Sequence, residues 1–294
     1  MPGAFAFDCS PLISTETVLA LTAGSPSVPG ADPSRVTKYD FRNRFPWWLL
    51  IMVMIIGGLI LAVLFSEAYQ EAFREIIPGL KLTLILTAGS FVASMFLGLF
   101  IGLARISTNP WINTPATVYI EFVRGVPMIV FLFAIALVLT PDAVDLVNWV
   151  LGTAFRARSI SFAWRGAIAL CLFYAAFLAE VFRAGIQSVP IGQVEAGRAL
   201  GLSATSIMRK IILPQAIRNT LPAFGNDLIA LMKDTSLVSV IAAAELTYQA
   251  RIYSGSSFRF REAFFILMVI YVTLTLVLSL ALRWFEARLT IPDR

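Results

Sequence analysis

From Trp47 onward the chain alternates long apolar runs with short polar interruptions. A helix needs about 20 mostly apolar residues to cross ~30 Å of hydrocarbon. Residues 47–65 carry no charge and open on two tryptophans, a residue type that favours the membrane interface. They read as a first span. Residues 80–104 form a second, with Lys81 at one end, where its stem can snorkel to the interface. Residues 119–140 form a third, interrupted by Pro127. Residues 164–189 form a fourth and carry Glu180 and Arg183. Residues 218–246 are a long, broken fifth, with Lys233 and Asp234 in the middle, and residues 263–285 are the sixth. The pattern predicts an all-α membrane protein with six transmembrane helices.

Two of these runs contain ladders of small residues. Ser90, Ser94, Gly98 and Gly102 recur at every fourth position of the second run, and Ala167, Cys171, Ala175 and Ala179 do the same in the fourth. Such stripes let helix backbones approach closely in lipid, where packing rather than hydrophobicity drives association. They serve packing within the chain or, alternatively, a subunit interface.

Between the fourth and fifth runs lies a segment, residues 190–216, too polar and interrupted to cross a bilayer. It reads as two short helices joined by a tight turn. The first runs to Leu200, and Gly201 is suited to a left-handed stop with apolar Leu202 behind it. Ser203 is suited to cap the second. Ile207, Met208, Ile211 and Ile212 share one arc of that helix, while Arg209 and Lys210 point elsewhere. Pro214 is expected to end it. On physics alone this knob either contacts a partner or lies flat on lipid headgroups.

Composition narrows the chemistry. With 58% hydrophobic and 14% charged residues, the chain departs from soluble domains, which run near ~45–50% and ~25%. This argues against a cytosolic enzyme and against nucleic-acid binding. Histidine is absent, which removes His-based triads and His-ligated metal sites. The lysines are Lys38, Lys81, Lys210 and Lys233, and none lies in a phosphate-binding G-x-x-x-x-G-K-[ST] loop. Cys9 and Cys171 read as two unpaired thiols. No enzymatic activity is expected of this chain.

Charge also sets the expected topology. Arg35, Lys38, Arg42 and Arg44 precede the first span, and basic flanks tend to stay in the cytoplasm. The 1–46 tail, rich in Ser, Pro, Thr and Gly, is read as cytoplasmic and largely disordered. Six spans then return residues 286–294 to the cytoplasm. Thirteen basic residues fall in the inside segments and eight in the outside ones, a bias of the expected sign.

The 190–216 segment resembles a known family. Glu195, Ala196, Gly197, Gly201, Ile211, Leu213 and Pro214 match the E-A-A-x-x-x-G-x(9)-I-x-L-P loop of type I ABC importer permeases, with Gly197 in place of the second alanine. Gly costs up to ~1 kcal/mol within a helix relative to Ala. Residues 121–127 (EFVRGVP), 179–190 (AEVFRAGIQSVP), 225–228 (GNDL) and 233–237 (KDTSL) are similar to the polar amino-acid branch of that family. The resemblance spans residues 80–285, leaving 47–79 as an extra N-terminal transmembrane helix and periplasmic loop. It implies a type I ABC importer transmembrane fold whose loop between helices 4 and 5 docks as a coupling helix on a separate ABC ATPase dimer. It further implies alternating access, a second permease subunit (the same chain or a paralogue) and a periplasmic amino-acid-binding protein. ATP and Mg would sit on the ATPase, with no cofactor on this chain. The location implied is the bacterial inner membrane.

Charges at depth are costly, at least ~2.5–3.5 kcal/mol near the bilayer centre, and usually pair or line a cavity. Glu180 and Arg183 are three apart and suited to an ion pair, as are Glu121 and Arg124. Asn226, Asp227, Lys233, Asp234, Thr235 and Ser236 mark a segment that cannot be a uniformly apolar helix. Irregular backbone at depth is tolerated against protein or a water-filled cavity. A zwitterionic amino acid needs an anion for its ammonium and donors for its carboxylate. Asp227 or Asp234 suits the first, and Lys233, Thr235 and Ser236 the second. These six residues are candidates for a translocation path. The competing reading is a secondary transporter or channel that needs no ATPase.

Overall fold

The computed structural model describes residues 47–289. The readings of the 1–46 tail and of residues 290–294 lie outside the described residues. The chain divides into two units, with the boundary between Met52 and Val53. Among the described residues every regular element is helical. A first helix, α1, spans Trp47–Phe65, matching the first apolar run. The remaining elements belong to the second unit.

In that unit α2 (Glu67–Ile76) is a short helix with one apolar face. It leads through a 3₁₀ turn into α3 (Leu80–Ile106). Then come α4 (Pro110–Gly125), α5 (Met128–Leu151) and α6 (Phe162–Gln187). The 190–216 region supplies α7 (Ile191–Ala199) and α8 (Ala204–Ile207). The chain closes with α9 (Leu213–Asp234), a 3₁₀ segment Thr235–Ile241, α10 (Leu246–Ser257) and α11 (Phe260–Leu289).

The two small-residue ladders face each other. Ser90 Oγ donates to the carbonyl of Ala167 at 3.2 Å, and Ser94 Oγ to that of Cys171 at 3.1 Å. A Cβ on Gly98 would lie 3.0 Å from the Ala175 carbonyl, and one on Gly102 2.7 Å from that of Ala179. The sequence offset is the same at every rung, so α3 and α6 run parallel and in contact along most of their length. The stripes therefore serve packing within the chain, not an interface between subunits. Around this seam Ile120, Val123, Leu132, Ala169, Leu170, Ala176 and Leu231 form the main apolar core.

α9 runs back along α6 in the opposite sense. Gly185 meets Thr220, the rings of Phe182 and Phe224 lie 4.8 Å apart, Tyr174 reaches Asp234, and Gly166 meets Val238. Its 22 residues cover about 33 Å at ~1.5 Å rise. A second core joins α2, α10 and α11 through Ala72, Ile76, Leu246, Ala250 and Ile266. It is tied to the start of α3, where Thr83 Oγ1 accepts from the Leu246 amide at 3.3 Å and Gly79 lies against the Glu245 backbone. α3 is 27 residues long, so this core lies about 40 Å from the α3 C-terminus.

Several expectations are corrected. The third apolar run is not one helix from 119 to 140. Val126 is extended at φ −104° and Pro127 breaks the chain, so the long apolar helix is Met128–Leu151, preceded by the separate α4. A residue before proline is driven out of the helical region by the proline ring. The fifth run begins earlier, at Leu213, and ends as a 3₁₀ segment before the left-handed Ala242. Among the described residues four stretches are long and apolar enough to cross a bilayer, at the second, third, fourth and sixth of the expected runs: Glu67–Ile106, Met128–Leu151, Phe162–Gln187 and Phe260–Glu286. α9, with Arg218, Asp227, Lys233 and Asp234, is too polar to qualify, and α1, at the edge of the described residues, is outside that count.

Pro214 does not end the second short helix. α8 continues through a π-helical segment, Met208–Ile212, straight into α9. Proline removes one helical donor and its ring presses on the carbonyl four residues back. A widened turn, with the Leu213 amide donating to Met208, makes room for it. The same device precedes Pro141, where Ala134–Leu139 is π-helical and the Thr140 amide donates to Ile135. The widened turn leaves the Ala136 carbonyl to Arg165, which donates to it at 3.0 Å and to Ile160 and Ala157 at 3.1 and 2.6 Å.

The α3–α6 seam makes a direct prediction. Gly102→Val places a branched side chain against backbone and should cost about 1–3 kcal/mol or more, as overpacking does. Gly89→Val, where nothing lies within 4 Å, should be tolerated. Thermal unfolding of the detergent-purified variants separates the two; equal midpoints would discount the seam.

Candidate functional site

The 190–216 region forms an elbow at the C-terminal end of α6. α7 stops in a two-bond left-handed cap. Gly201, at φ +77°, donates to Arg198 at 2.9 Å, and the Leu202 amide donates to Gly197 at 3.1 Å. This closure satisfies the last carbonyls of the helix and needs a residue tolerant of positive φ. Ser203 then caps α8, its Oγ accepting from the Ser206 amide at 3.3 Å. Gly197 is buried, and a Cβ there would lie 2.9 Å from Ile211 Cδ1 and 3.2 Å from Ile207 Cγ1. Glycine at the position where the family pattern has alanine is thus matched by two isoleucines that fill the space. Glu195, Ala196, Leu213 and Pro214 remain exposed, and Ile211 and Leu202 are half-buried. Leu200 is 80% exposed and Ile191 75%, so an apolar side chain stands free at each end of α7, with the Glu195 carboxylate exposed between them.

The base of the elbow is fixed to both helices it joins. Gln215 Nε2 donates to Gln193 Oε1 at 2.6 Å, and Asn219 Nδ2 to Ser188 Oγ at 2.8 Å. A Cβ on Gly185 would lie 2.2 Å from Thr220 Cγ2 and 3.1 Å from the Ala216 carbonyl. α7, α8, the π segment and the start of α9 therefore form one folded unit on the ends of α6 and α9.

Beside it lies a cluster of charge. Arg183 donates to Glu180 Oε2 through Nε and Nη2 at 3.1 and 2.6 Å, and through Nη1 to Gln187 at 2.6 Å. Arg105, at the end of α3, brings Nε to 3.0 Å from Glu180 Oε1 and Nη2 to 3.0 Å from Glu121. The Glu180 Oε1 contact is an ion pair without hydrogen-bond alignment, and Arg105 Nη1 is buried without a partner. Glu121 and Arg124 do not pair with each other. Glu121 turns to Arg105, and Arg124 lies 5.7 Å from the centre of the Phe177 ring. Arg105 is the residue that sequence reasoning missed. Its partners lie far along the chain, on other helices, and no local spacing announces them.

The polar stretch of α9 forms two stripes. Asn226 and Lys233 are exposed and seven residues apart, hence on one face. Asp227 and Asp234 share a neighbouring, half-buried face. Asp234 Oδ2 accepts from Tyr174 Oη at 2.8 Å, while Asp227 Oδ2 is buried and has no hydrogen-bond partner. Thr235 is fully buried and bonds back to the Met232 carbonyl at 2.6 Å, and Ser236 is half-buried beside it. Tyr174 belongs to an aromatic patch with Phe173, Phe177 and Phe131. Among the described residues no group of three or more His, Cys, Asp or Glu side chains is placed to hold a metal.

Glu180→Gln should destabilise the chain by about 1–3 kcal/mol, because two partly buried guanidinium groups lose one charged acceptor. Glu121→Gln, at a side chain 62% exposed, should cost under ~1 kcal/mol. Thermal unfolding in detergent tests the ranking, and equal losses would refute it.

Comparison with known proteins fits this geometry. The family model described as a binding-protein-dependent transport system inner membrane component matches residues 94–291. The glutamine transport system permease protein GlnP of Escherichia coli (strain K12) is 36% identical over 226 residues, 76% of this chain and 97% of that protein. The probable amino-acid permease protein YxeN of Bacillus subtilis (strain 168) is 34% identical over 229 residues, 78% of this chain and 97% of that protein. Among solved structures, an amino acid ABC transporter crystallised with histidines aligns with a TM-score of 0.64 at 37% identity, covering 74% of this chain and 95% of the other. The MetNI methionine ABC transporter, in an inward-facing conformation, aligns at 0.61 and 21% identity over 77% of this chain and all of the other, a likeness of fold. The chain belongs to the binding-protein-dependent transport system inner membrane component family, in its branch of amino-acid ABC transporter permeases.

Proposed function

We propose that this chain is the translocation subunit of an ATP-driven importer of a polar amino acid, coupled to a separate ATPase through the 190–216 elbow. The observation that carries this reading is the elbow itself. It is closed by the Gly201 cap, fixed to α6 and α9 at its base, and presents Glu195, Ala196 and Leu200 outward. A rigid knob that continues into α9 turns a push on α7 into displacement of two helices together. ATP and Mg bind the partner, and closure of its dimer drives two permease subunits between inward-open and outward-open states. The energy enters as differential affinity of nucleotide for those states. A periplasmic binding protein delivers the solute. The chain itself carries no catalytic residue. The elbow faces the cytoplasm in this reading, and both termini lie on that side.

The α9 stripes fit a path through the subunit pair. Asp227 and Asp234 suit an ammonium group, and Lys233, Asn226 and Ser236 suit a carboxylate. Thr235 is enclosed and holds the backbone where α9 tightens to a 3₁₀ helix. Glu180 and Arg183, with Arg105, brace the helix ends from which the elbow departs.

Leu200→Arg with Glu195→Arg should leave membrane insertion intact. It should cut ATPase co-purification and ATP-driven uptake by about tenfold or more, which corresponds to ~1.4 kcal/mol of docking affinity. Full uptake by that variant would refute the coupling role, as would uptake driven by an ion gradient in liposomes lacking an ATPase.

Asp227→Asn and Lys233→Met should each alter uptake affinity or rate in reconstituted transporter while ATPase docking persists. Wild-type kinetics in both would remove the path assignment.

A further inference from the structure

At the end of α6 away from the elbow lies a cleft between α5, α6 and the loop that joins them. Its volume is about 550 Å³, and Ala143, Val147, Phe155, Arg156, Ile168 and Leu172 are among the residues that line it. Its walls are pinned. Asn148, near the end of α5, holds the loop twice: Nδ2 donates to the Phe155 carbonyl and Oδ1 accepts from the Phe155 amide, each at 2.8 Å. Arg165, in the first turn of α6, commits its guanidinium to the carbonyls of Ile160, Ala136 and Ala157, and so ties the loop to α6 and to the π-helical turn of α5. The cleft is built before anything enters it, and a ligand need not order its walls.

The chemistry of the lining is uneven. The hydroxyls of Thr140 and Ser159 already donate to the carbonyls of Ile135 and Arg156, at 2.6 and 2.7 Å. Arg156 differs. It is exposed, lines the cleft, and its guanidinium has no hydrogen-bond or ion-pair partner among the described residues. Arg158, two residues on, is also exposed. The acidic residues of this end of α5, Asp142 and Asp145, fall outside the arc formed by Thr140, Ala143, Val144 and Val147. The cleft therefore pairs an apolar interior with an unopposed positive charge.

Its depth points to what fills it. Leu172 lies about 15 Å along α6 from Phe162, at ~1.5 Å rise per residue. That is half of the ~30 Å of hydrocarbon in a bilayer, or one leaflet. Trp149 and Trp164, at the neighbouring ends of α5 and α6, are 82% and 69% exposed. Tryptophan favours the headgroup level, and Arg156 stands in the loop between these two helix ends. The family is an inner membrane component, so this face meets lipid. A guanidinium at headgroup height is suited to a phosphate, which its planar fork can grip through two hydrogen bonds. We propose that the α5–α6 cleft is a binding site for an anionic glycerophospholipid, with one acyl chain between the helices and the phosphodiester on Arg156.

The test places the full chain in nanodiscs of equal parts phosphatidylcholine and phosphatidylglycerol, extracts it in mild detergent, and counts by mass spectrometry the lipids that stay with each chain. Phosphatidylglycerol should be retained at least about fivefold over phosphatidylcholine, the scale of one basic residue beside anionic lipid. Arg156→Gln should bring the two lipids level. It should keep the wild-type thermal midpoint, because the side chain has no partner to lose, so the lost selectivity cannot be put down to misfolding. Ala143→Phe, which fills the cleft, should remove retention of both lipids. Arg251→Gln, at an exposed arginine of α10 outside the cleft, should change neither. Equal retention of the two lipids by the wild type, selectivity that survives Arg156→Gln, retention that survives Ala143→Phe, or an equal loss in Arg251→Gln overturns the site. So does displacement of the lipid by glycerol 3-phosphate, which carries the phosphate without the chains. Cross-linking of two copies through Val147→Cys in native membranes would give the cleft to a second copy of this chain, and would also overturn the lipid. These measurements need no ATPase and no transport, so they stand or fall apart from the coupling role of the elbow.

Discussion

The contact on which the rest of the molecule depends is the close approach of α3 to α6. Lipid tails are as apolar as leucine, so helices in a bilayer gain little from hiding hydrophobic surface against one another. What they gain is packing, and packing improves as backbones come together. Ser90, Ser94, Gly98 and Gly102 remove the side chains that would hold the axes apart, and the two serines add hydrogen bonds to the carbonyls of Ala167 and Cys171. Because the register is constant, the two helices run parallel and their C-terminal ends arrive together. That arrival places Arg105 beside Glu180 and Glu121, and it sets the platform from which the elbow projects. At the other end the same rigid pair presents Gly79 and Thr83 to the Glu245–Leu246 backbone.

α9 answers a different problem. It is too polar to sit alone in hydrocarbon, yet it runs the length of α6. Its apolar residues Phe224, Leu231 and Met232 are buried, and its acidic face is half-enclosed, with Tyr174 supplying one donor. The tightening to a 3₁₀ helix at Thr235 happens where Val238 packs on Gly166, so the irregular backbone lies against protein and not lipid. In the proposed path the exposed stripe of Asn226 and Lys233 is left for water or solute.

The π-helical turns explain how the elbow connects to this helix. A proline at position 214 argues for a stop, and a stop would have left a flexible joint between α8 and α9. Widening the turn accommodates the ring and keeps the rod continuous. The elbow is then an extension of α9. In the proposed coupling a load applied at Leu200 passes through the Gly201–Ser203 turn into α8 and on through helical backbone to Asp227 and Asp234, with the Asn219–Ser188 and Gln215–Gln193 bonds holding the hairpin closed.

Much of this was legible in the sequence wherever the governing interaction is local. Apolar run lengths give most of the long helices, because the thickness of a bilayer fixes how many residues a helix needs. Gly201 and Ser203 announce the stop and the cap, since both roles are satisfied within four residues. The fourfold spacing of small residues identifies two faces meant for close contact. Only the tertiary structure decides what covers a face. That the two ladders meet each other, that Glu121 takes Arg105 instead of Arg124, and that Tyr174 serves Asp234 all join residues on different helices. A periodic pattern fixes the direction in which a side chain leaves its helix, but the partner it meets depends on how helices distant in the chain are brought together, which is settled by shape and packing across the whole fold.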